Sequence, residues 1–495
     1  MWHNRRVPQR DDATPPRDPQ QIIDEQRREI ERLREDLRHS VEDLRRSEAE
    51  RQRLRREIEK LNEQLDAARR AVYRQAAPFA RGTRVAEPRR PGRKAGVAYG
   101  RCAHRPLPTQ VDETFEAPLP SHCPHCSAPV RRLRVATQYQ EELPVQRPLI
   151  RAFHVHIGAC TRCQRRVQGR HPLQTSDALG AAAVQLGPQT VAFAVLLNKR
   201  FGLPYGKIAA LLRDRFGLTV TRGGLVHAVH RAARQAQPTY ETLCATVRGS
   251  PVVTADETSW RVDADLQWLW AFVTPETTAY AIQPGRGLAQ AAHIIGVDYA
   301  GVLQRDGWQS YRQFKQAAHQ TCLAHLLRRC RALLLDYPAQ PFVTKVKAIL
   351  QAALATRDRY HDGTISDHGL AVARGLYIER LGHLLTRPPS RLLRVRRFQG
   401  HLVVEYDAVF SFLFDPTLDA TNWRAEQALR PAVVTRKMCG GGNRTRRGAD
   451  SQQVLTSILR TADQRGLDAT DILVTLLTAR TPSVPEILQT APTVH

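Results

Sequence analysis

Three acidic residues, far apart in the sequence, are candidates for chemistry on a phosphodiester. Asp256 and Asp306 each follow a short apolar run, so each is predicted to lie at the end of a buried strand. Glu426 lies in a stretch with helical spacing, where Glu426 and Arg430 share one face. Two carboxylates at strand ends and a third on a helix can converge on one point. That is the arrangement that a pair of divalent cations needs.

Carboxylates are suitable ligands for Mg²⁺ or Mn²⁺, because these hard cations bind oxygen and keep several waters. Two such ions, roughly 3.5–4 Å apart, can activate the attacking oxygen and stabilise the leaving oxygen of an in-line phosphoryl displacement. The alternative interpretation is structural. An Asp after a strand is often a turn former, and Glu426 with Arg430 can be an ordinary surface pair.

The sequence around these acids resembles a known family. The segments ADETSWRV, LWAFVT, DGWQSY, CLAHLLRRC and DATNWRAEQALRP to RKMCGGGNRTRRGA are similar to the insertion-sequence sixty-six transposases of the TnpC type. The resemblance implies a DDE transposase with an RNase H-like catalytic domain, and it assigns Asp256, Asp306 and Glu426 as the metal-binding triad, with two Mg²⁺ or Mn²⁺ ions. One departure is visible: Asn422 and Trp423 stand where such proteins often have two Asn residues.

Composition narrows the classes of function. The 495-residue chain carries 74 basic and 48 acidic residues, a formal charge of +26, which favours a polyanionic partner such as DNA. No apolar run approaches the roughly 18 residues of a membrane span, and the N-terminus lacks the apolar core of a signal peptide. We therefore expect a cytoplasmic protein with no membrane partner. Its nine cysteines are expected to be thiols or metal ligands.

The first quarter of the chain is predicted to consist of a tail, a long helix and a linker. Residues 1–19 are polar and Pro-rich, and we expect a disordered tail. Residues 20–76 repeat apolar side chains at heptad spacing, which predicts a coiled coil that forms a homodimer or higher oligomer; a helix folded back on its own body is the alternative. The seam positions are Ile23, Ile30, Leu33, Leu37, Leu44, Leu54, Ile58, Leu61, Leu65 and Val72. Residues 77–120 form a basic linker, in which Arg93 and Lys94 either enter a minor groove or are simply solvated.

Residues 121–170 contain two C-x₂-C pairs. The four cysteines are Cys123, Cys126, Cys160 and Cys163. Four thiolates can bind one structural Zn²⁺ tetrahedrally. Alternating side chains at 135–139 and 153–157 predict strands between the pairs, and hence a zinc ribbon. Redox thiols are the alternative. A four-thiolate site has no open position for catalysis, so its expected role is recognition or architecture.

Residues 171–245 are predicted to be helical. Helices on the two sides of Gly217 can form a helix-turn-helix, with the second helix in a major groove. That helix would present four side chains to DNA: His227, His230, Arg231 and Arg234. Ordinary helix packing is the alternative.

Residues 246–480 are assigned to an α/β catalytic domain, and residues 481–495 to a tail. The 120 positions from Asp306 to Glu426 exceed what one strand and one helix require, so we predict a helical insertion at about 327–415. Pro431 is predicted to end or kink the helix of Glu426, which would place this carboxylate in a last helical turn.

Further residues around the acids are assigned by type. Cys322 and His325 lack other metal ligands nearby in the sequence, so packing or hydrogen bonding is their expected role. Six basic residues are expected to hold the DNA backbone: Arg430, Arg436, Lys437, Arg444, Arg446 and Arg447.

The expected function is metal-dependent DNA cleavage and strand transfer of an insertion sequence, with transposon ends and target DNA as partners. A nuclease that cuts without joining and an inactive DNA-binding regulator are the alternatives. Whether companion transposition proteins are required stays open.

Overall fold

The structure is a computed structural model of the chain, which divides into two compact units, Met1–Pro106 and Leu107–His495. It describes residues 19–73, 107–141, 143, 147–175, 177–179, 185–438 and 441–489. Three predicted features lie outside these residues: nearly all of the N-terminal tail, residues 77–106 of the linker with Arg93 and Lys94, and the last six residues of the C-terminal tail.

Helix α1, Pro19–Tyr73, is an uninterrupted helix of 55 residues, or roughly 80 Å at 1.5 Å per residue. It contains no glycine and is rich in Glu, Arg, Gln and Leu, which favour helix. The seam side chains that the structure describes are exposed to solvent in the single chain, with exposed fractions of 49% for Ile30, 64% for Leu37 and 62% for Leu44. This is the surface that a partner helix covers in a coiled coil. None of the described helices is long and apolar enough to cross a membrane.

The cysteine-containing segment has less strand than the sequence predicts. Strands β1, Ile157–Ala159, and β2, Arg166–Gln168, pair antiparallel around the second cysteine pair. A single bridge between His122 and Pro129 encloses the first pair. The described residues between 130 and 156 form no strand, so the longer strands predicted there are wrong. Most of these side chains are exposed, and alternation without a surface to pack against is a weak strand signal.

Four helices follow: α2, Pro188–Lys199; α3, Tyr205–Phe216; α4, Arg222–Gln235; and α5, Gln237–Arg248. The predicted helices are present from Pro188 onwards, whereas the described residues from 171 to 187 form none. Helix α3 ends at Gly217, whose φ of 64° is left-handed and favours glycine. The side chain of Thr221 accepts a hydrogen bond from Gly224 N at 3.0 Å and begins α4. The two helices and the turn of the predicted helix-turn-helix are therefore present.

These helices share a core with the C-terminal end of the chain. Helices α2, α4 and α5 pack against α12, Arg446–Gln464, and α13, Ala469–Thr478, in one apolar cluster. The short helix α14, Glu486–Gln489, adds Leu488 to this cluster. The described part of the predicted C-terminal tail is therefore packed against the helices.

A five-stranded sheet, in the order β5-β4-β3-β6-β7, forms the centre of this unit. Its strands are β3, Val252–Val262; β4, Asp265–Val273; β5, Thr278–Gln283; β6, Val302–Arg305; and β7, Ala318–Thr321. The first three are antiparallel neighbours, whereas β3, β6 and β7 run parallel. Helix α6, Leu288–Ile295, connects β5 to β6.

The two faces of the sheet bury different residues of β4, because successive side chains of a strand point to opposite faces. Trp270 and Phe272 pack with α6 on one face. Leu269, Ala271 and Val273 pack on the other face, against the helix that carries Glu426.

Four helices lie between β7 and the helix of Glu426: α7, Leu323–Asp336; α8, Pro341–His361; α9, Asp367–Leu385; and α10, Leu393–Glu405. They enclose an apolar cluster of their own, which includes Leu326, Leu350, Leu381 and Phe398. The predicted helical insertion is present, and its first helix begins at Leu323.

Helix α11, Trp423–Met438, carries Glu426 and continues through Pro431. Pro431 does not end this helix, so that part of the prediction is wrong. Pro431 and Gln427, whose carbonyl loses its hydrogen bond, both lie on the exposed side, where water can replace the missing donor. Glu426 is therefore in the first helical turn, where the helix dipole stabilises a carboxylate, and not in a last turn.

Candidate active site

The three predicted acids lie on elements that meet at one side of the sheet. In the parallel pair of β3 and β6, Thr254 is opposite Gln304, and Asp256 and Asp306 each follow two residues later. The Thr254 hydroxyl donates a hydrogen bond to Gln304 Oε1 at 2.8 Å, which holds the two strands in this register. Helix α11 packs against β3 and β4, and it brings Glu426 to the same sheet.

Asp256 does not end its strand, contrary to the prediction. Strand β3 continues to Val262 because the residues after Asp256 still pair with β4, whereas pairing with β6 stops at Thr254. Asp256 is half-buried at the point where β3 leaves its parallel neighbour. Its Oδ1 accepts a hydrogen bond from Glu257 N at 2.9 Å.

Asp306 directly follows β6, as predicted. Its Oδ1 accepts a hydrogen bond from Trp308 N at 2.8 Å, which fixes the turn. A Cβ atom on Gly307 would overlap the imidazole of His401 in α10. The turn that carries Asp306 is therefore held against the insertion, and glycine permits the close approach.

The residue before Asp306 makes a second connection to the insertion. Arg305 is 2% exposed, and its guanidinium donates to the fully buried carboxylate of Glu405 in α10. The same guanidinium nitrogen donates to the Asp306 carbonyl at 3.1 Å and to the Thr321 hydroxyl at 3.2 Å. Arg312 lies 3.5 Å from the other oxygen of Glu405. This buried network fixes the end of β6, and it was not among the features predicted from the sequence.

Glu426 contacts the first helix of the insertion. Its Oε1 lies 3.5 Å from His325 Nε2 and 3.6 Å from a guanidinium nitrogen of Arg328, both in α7. Burial and, secondarily, the charge of Arg328 lower the pKa of His325. Ala425 and Ala428 bury the opposite side of α11 against the sheet. Glu426 is thus aimed away from the apolar core and towards polar groups of α7.

The carboxylates act on one another electrostatically. Burial raises the pKa of Asp256 to about 8, and the negative charges of Glu257, Asp306 and Glu426 add to this effect. A nearby cation would favour the ionised form of such a group. The donor chemistry therefore fits Mg²⁺ or Mn²⁺. Among the described residues, no group of three or more His, Cys, Asp or Glu side chains is already arranged as a metal site.

A fourth carboxylate, Glu257, was not predicted. Its side chain is fully buried, and it accepts hydrogen bonds from Arg286 Nε and from the Tyr311 hydroxyl. Glu257 alternates with Asp256 along β3, so the two side chains leave the strand on opposite faces. The available sequence signal was a second acid directly after Asp256 in the same strand.

Arg286 links this fourth carboxylate to the predicted acids. A guanidinium nitrogen of Arg286 lies 3.7 Å from Asp306 Oδ2. The guanidinium carbon, Cζ, lies 3.9 Å from the ring centroid of Trp308 and 4.8 Å from that of Trp268. The Trp308 indole N–H and the Ser310 hydroxyl donate to the Arg286 carbonyl. Arg286 is therefore held in place as a positive charge beside the acidic cluster.

Buried polar atoms without partners cluster beside Glu426. Asn422 is fully buried, and neither its side-chain nitrogen nor its side-chain oxygen has a hydrogen-bond partner; His325 Nδ1 also lacks one. The Asn422 carbonyl accepts from Glu426 N at 3.1 Å and begins α11. Buried polar groups are normally satisfied, so these atoms are available to water or substrate. Cys322 is buried nearby, which fits its expected packing role.

The predicted DNA-binding residues of α4 divide into two groups. His227, Arg231 and Arg234 are exposed on one side of the helix. His230 is buried, and its Nδ1 lies 2.6 Å from the Ser451 hydroxyl in α12. His230 therefore belongs to the core, and the prediction that it faces DNA is wrong.

The basic residues after Glu426 divide into two that bond to the sheet and four that do not. Arg430, Lys437, Arg444 and Arg447 are exposed. The Arg436 guanidinium donates to the Ser259 carbonyl, and Arg446 donates to the Ile282 carbonyl at 2.8 Å. Arg436, which is half-buried, and Arg446, which is exposed, thus attach α11 and α12 to the sheet, whereas the other four side chains are accessible to a phosphate backbone.

The two cysteine pairs form matching turns. Ser127 N donates to the Cys123 carbonyl at 2.8 Å, and Gln164 N donates to the Cys160 carbonyl at 2.9 Å. Ser127 and Gln164 both have left-handed φ angles, 58° and 56°. Hydrogen bonds from backbone N–H groups within each turn lower the pKa of the Cys123 and Cys160 thiols. Each turn therefore favours the thiolate form that binds metal.

A comparison with protein-family profiles matches residues 183–451 to the family described as Transposase IS66 family. The matched range contains the sheet, the insertion and Asp256, Asp306 and Glu426. A comparison with curated proteins gives no significant match. Because the family match covers more than half of the 495 residues, the chain belongs to the IS66 family of transposases.

Proposed function

We propose that this protein is a DDE transposase, which cuts the ends of an insertion sequence and joins them to target DNA at Asp256, Asp306 and Glu426. The main support is the electrostatic environment that the three carboxylates share. Burial raises the pKa of Asp256 to about 8, and the charges of Asp306 and Glu426 contribute. Acids grouped in this way repel one another unless a cation or a proton compensates them.

The topology of the sheet supports an RNase H-like core. Three antiparallel strands are followed by two strands parallel to the first, in the order β5-β4-β3-β6-β7. The first acid lies on β3, the second directly after β6, and the third on a helix packed against the same sheet. This is the arrangement expected from the family resemblance.

Asp256, Asp306 and Glu426 would hold Mg²⁺ or Mn²⁺, two ions per active site. When bound, such ions stabilise the attacking and leaving oxygens of a phosphoryl displacement. The protein fixes the positions of the carboxylates. Arg305 and its buried partner fix the strand end before Asp306, and Arg286 offsets part of the negative charge.

The reaction consists of two phosphoryl displacements. In the first, water forms a bond to phosphorus as the bond from phosphorus to the 3′ oxygen of the transposon end breaks, which leaves a 3′-OH. In the second, that hydroxyl forms a bond to a target phosphorus as the target's own 3′ oxygen leaves. One P–O bond forms and one breaks in each step, so no covalent enzyme intermediate is needed.

The test is an assay of Asp256→Asn with DNA fragments that carry the terminal inverted repeats from either side of the gene. In Mg²⁺ the unmodified protein should yield joined products, and the variant should bind the ends but join none. Asp265→Asn, an exposed substitution at the start of β4, is the matched control. Cleaved products alone would favour the nuclease, and bound but uncut DNA would favour the regulator. Joining by Asp256→Asn would refute the assignment.

We propose DNA contacts on two surfaces. One is the exposed side of α4 with His227 and Arg231, and the other consists of the exposed basic residues after Glu426 that do not bond to the sheet. The second set is Arg430, Lys437, Arg444 and Arg447. Their high positive charge suits the phosphate backbone, and binding should weaken as salt rises.

We propose that α1 mediates self-association through its heptad seam. The described side chains of the seam, Leu37 and Leu44 among them, are exposed in the single chain, and a second copy of α1 would cover them. Sedimentation of the full chain tests this. Leu37→Lys with Leu44→Lys should lower the oligomeric state, and the off-seam change His39→Lys should not. A monomeric unmodified protein would contradict the proposal.

We also propose one structural Zn²⁺ held by Cys123, Cys126, Cys160 and Cys163. The two matching turns and the lowered pKa of Cys123 and Cys160 support it. Metal analysis after dialysis should find about one zinc per chain. Cys163→Ser should lose the metal, and Cys244→Ser, outside the pairs, should keep it. A folded protein without zinc would contradict this assignment.

A further inference from the structure

We propose that a cleft beside helix α11 binds one unpaired DNA base, which stacks on Trp423. This inference rests on the proposed action on DNA and names a contact within it. The cleft has a volume of about 500 Å³, within the range of about 300–1,000 Å³ that small-molecule sites occupy. One wall is the end of α8, with Arg357 and His361, and the other is the turn at 416–421 with Trp423.

Trp423 is placed to hold a base near the acids. It is the first residue of α11, and its side chain is 42% exposed. Glu426 follows three residues later, and side chains at this spacing are neighbours on a helix, with Cβ atoms about 5–6 Å apart. A base stacked on Trp423 would therefore belong to a nucleotide close to the carboxylates.

The charges in the cleft favour a base over a phosphate. Asp358 Oδ1 accepts a hydrogen bond from an Arg357 guanidinium nitrogen at 2.6 Å. Asp419 Oδ2 accepts one from Arg424 Nε at 2.8 Å. Each acid that lines the cleft is therefore paired with an arginine, and no excess of positive charge is offered to a phosphate there. A neutral aromatic ring with hydrogen-bonding edges fits this lining better.

The indole can accept a stacked ring. Arg424 lies over the ring of Trp423 at 5.0 Å from its centroid, and Trp423 also lines the cleft. A base that enters from the cleft can stack on the indole, and Thr421 is available to its edge. Stacking of this kind is tolerant of sequence, because every base has an aromatic face.

The experiment compares the binding of the full-length protein to two duplexes of the same sequence, one blunt and one with a short single-stranded overhang. The first overhang base is 2-aminopurine, whose fluorescence falls when it stacks. We expect the overhang duplex to bind between about fivefold and a hundredfold more tightly, the range that one stacked base supplies. Trp423→Ala should remove this preference and the fluorescence change, and Trp423→Phe should keep most of both.

Phe414→Ala is the matched control, because Phe414 is an exposed aromatic residue that also lies beside an arginine but does not line the cleft. It should leave the preference unchanged. An overhang preference that survives in Trp423→Ala, or an equal loss of binding to both duplexes, would overturn the inference and leave the proposed transposase function standing. Failure of the unmodified protein to bind either duplex would overturn both.

Discussion

Replacement of Asp256 by Asn is expected to stabilise the metal-free protein above neutral pH. The folded protein raises the pKa of this carboxyl from 3.8 to about 8, chiefly by burial and also through Glu257, Asp306 and Glu426. In the unfolded chain the carboxyl ionises near its ordinary value. The folded state therefore holds a proton that the unfolded state has released throughout the interval between these values.

The direction and the size of the change in folding stability follow from this difference in pKa. Below about pH 4 both states are protonated, and Asp256 does not oppose folding. As the pH rises to about 8, the free energy of unfolding falls. Above that pH, the destabilisation caused by Asp256 stays constant. At about 1.4 kcal/mol per pKa unit, the upper limit is about 6 kcal/mol. Relaxation and water penetration reduce it, so we expect about 2 kcal/mol, or several degrees in melting temperature.

The assay is thermal unfolding in EDTA at pH 5 and pH 8.5. Asp256→Asn should melt higher than the unmodified protein at pH 8.5, and the difference should shrink at pH 5. Mg²⁺ should raise the melting temperature of the unmodified protein more than that of the variant. Asp265→Asn, at an exposed position, should show neither effect. A variant that melts at or below the unmodified protein at pH 8.5 would refute the reasoning.

Two further predictions concern the attachment of Asp306 to the insertion. Arg305→Met leaves the carboxylate of Glu405 buried without its main partner, and we expect a loss of about 3–5 kcal/mol. The double variant with Glu405→Leu should recover most of it, while Arg394→Met, which breaks a more exposed pair, should cost under about 1 kcal/mol. Gly307→Ala should cost about 1–3 kcal/mol because its methyl group overlaps His401. Adding His401→Ala should restore most of the lost stability. Urea denaturation gives the free energy of unfolding of all of these variants.

Features set by short-range patterns could be read from the sequence. The heptad repeat predicts the helix that α1 forms, and the helices predicted on the two sides of Gly217 are α3 and α4. An apolar run before Asp306 predicts the strand that ends there. In each case the residues that determine the element lie within a few positions of one another, so local propensity and side-chain period are sufficient.

The placement of individual side chains depended on partners distant in the sequence. Arg305 and Glu405 are 100 positions apart, and His230 meets Ser451 across 221 positions. The sequence showed a basic residue before Asp306 and a histidine on a basic helix, and it could not show which surface would cover them. Glu257 gave little signal for the same reason.

The sequence by itself determined the acidic triad as a hypothesis, the helical insertion and the long helix α1. The tertiary structure alone decided that Asp256 lies within its strand and that Glu426 lies in the first turn of its helix. A strand continues while a neighbour still pairs with it, and a helix passes a proline when the lost hydrogen bond faces water. Both conditions are properties of the packed neighbours, which no local stretch of the sequence contains.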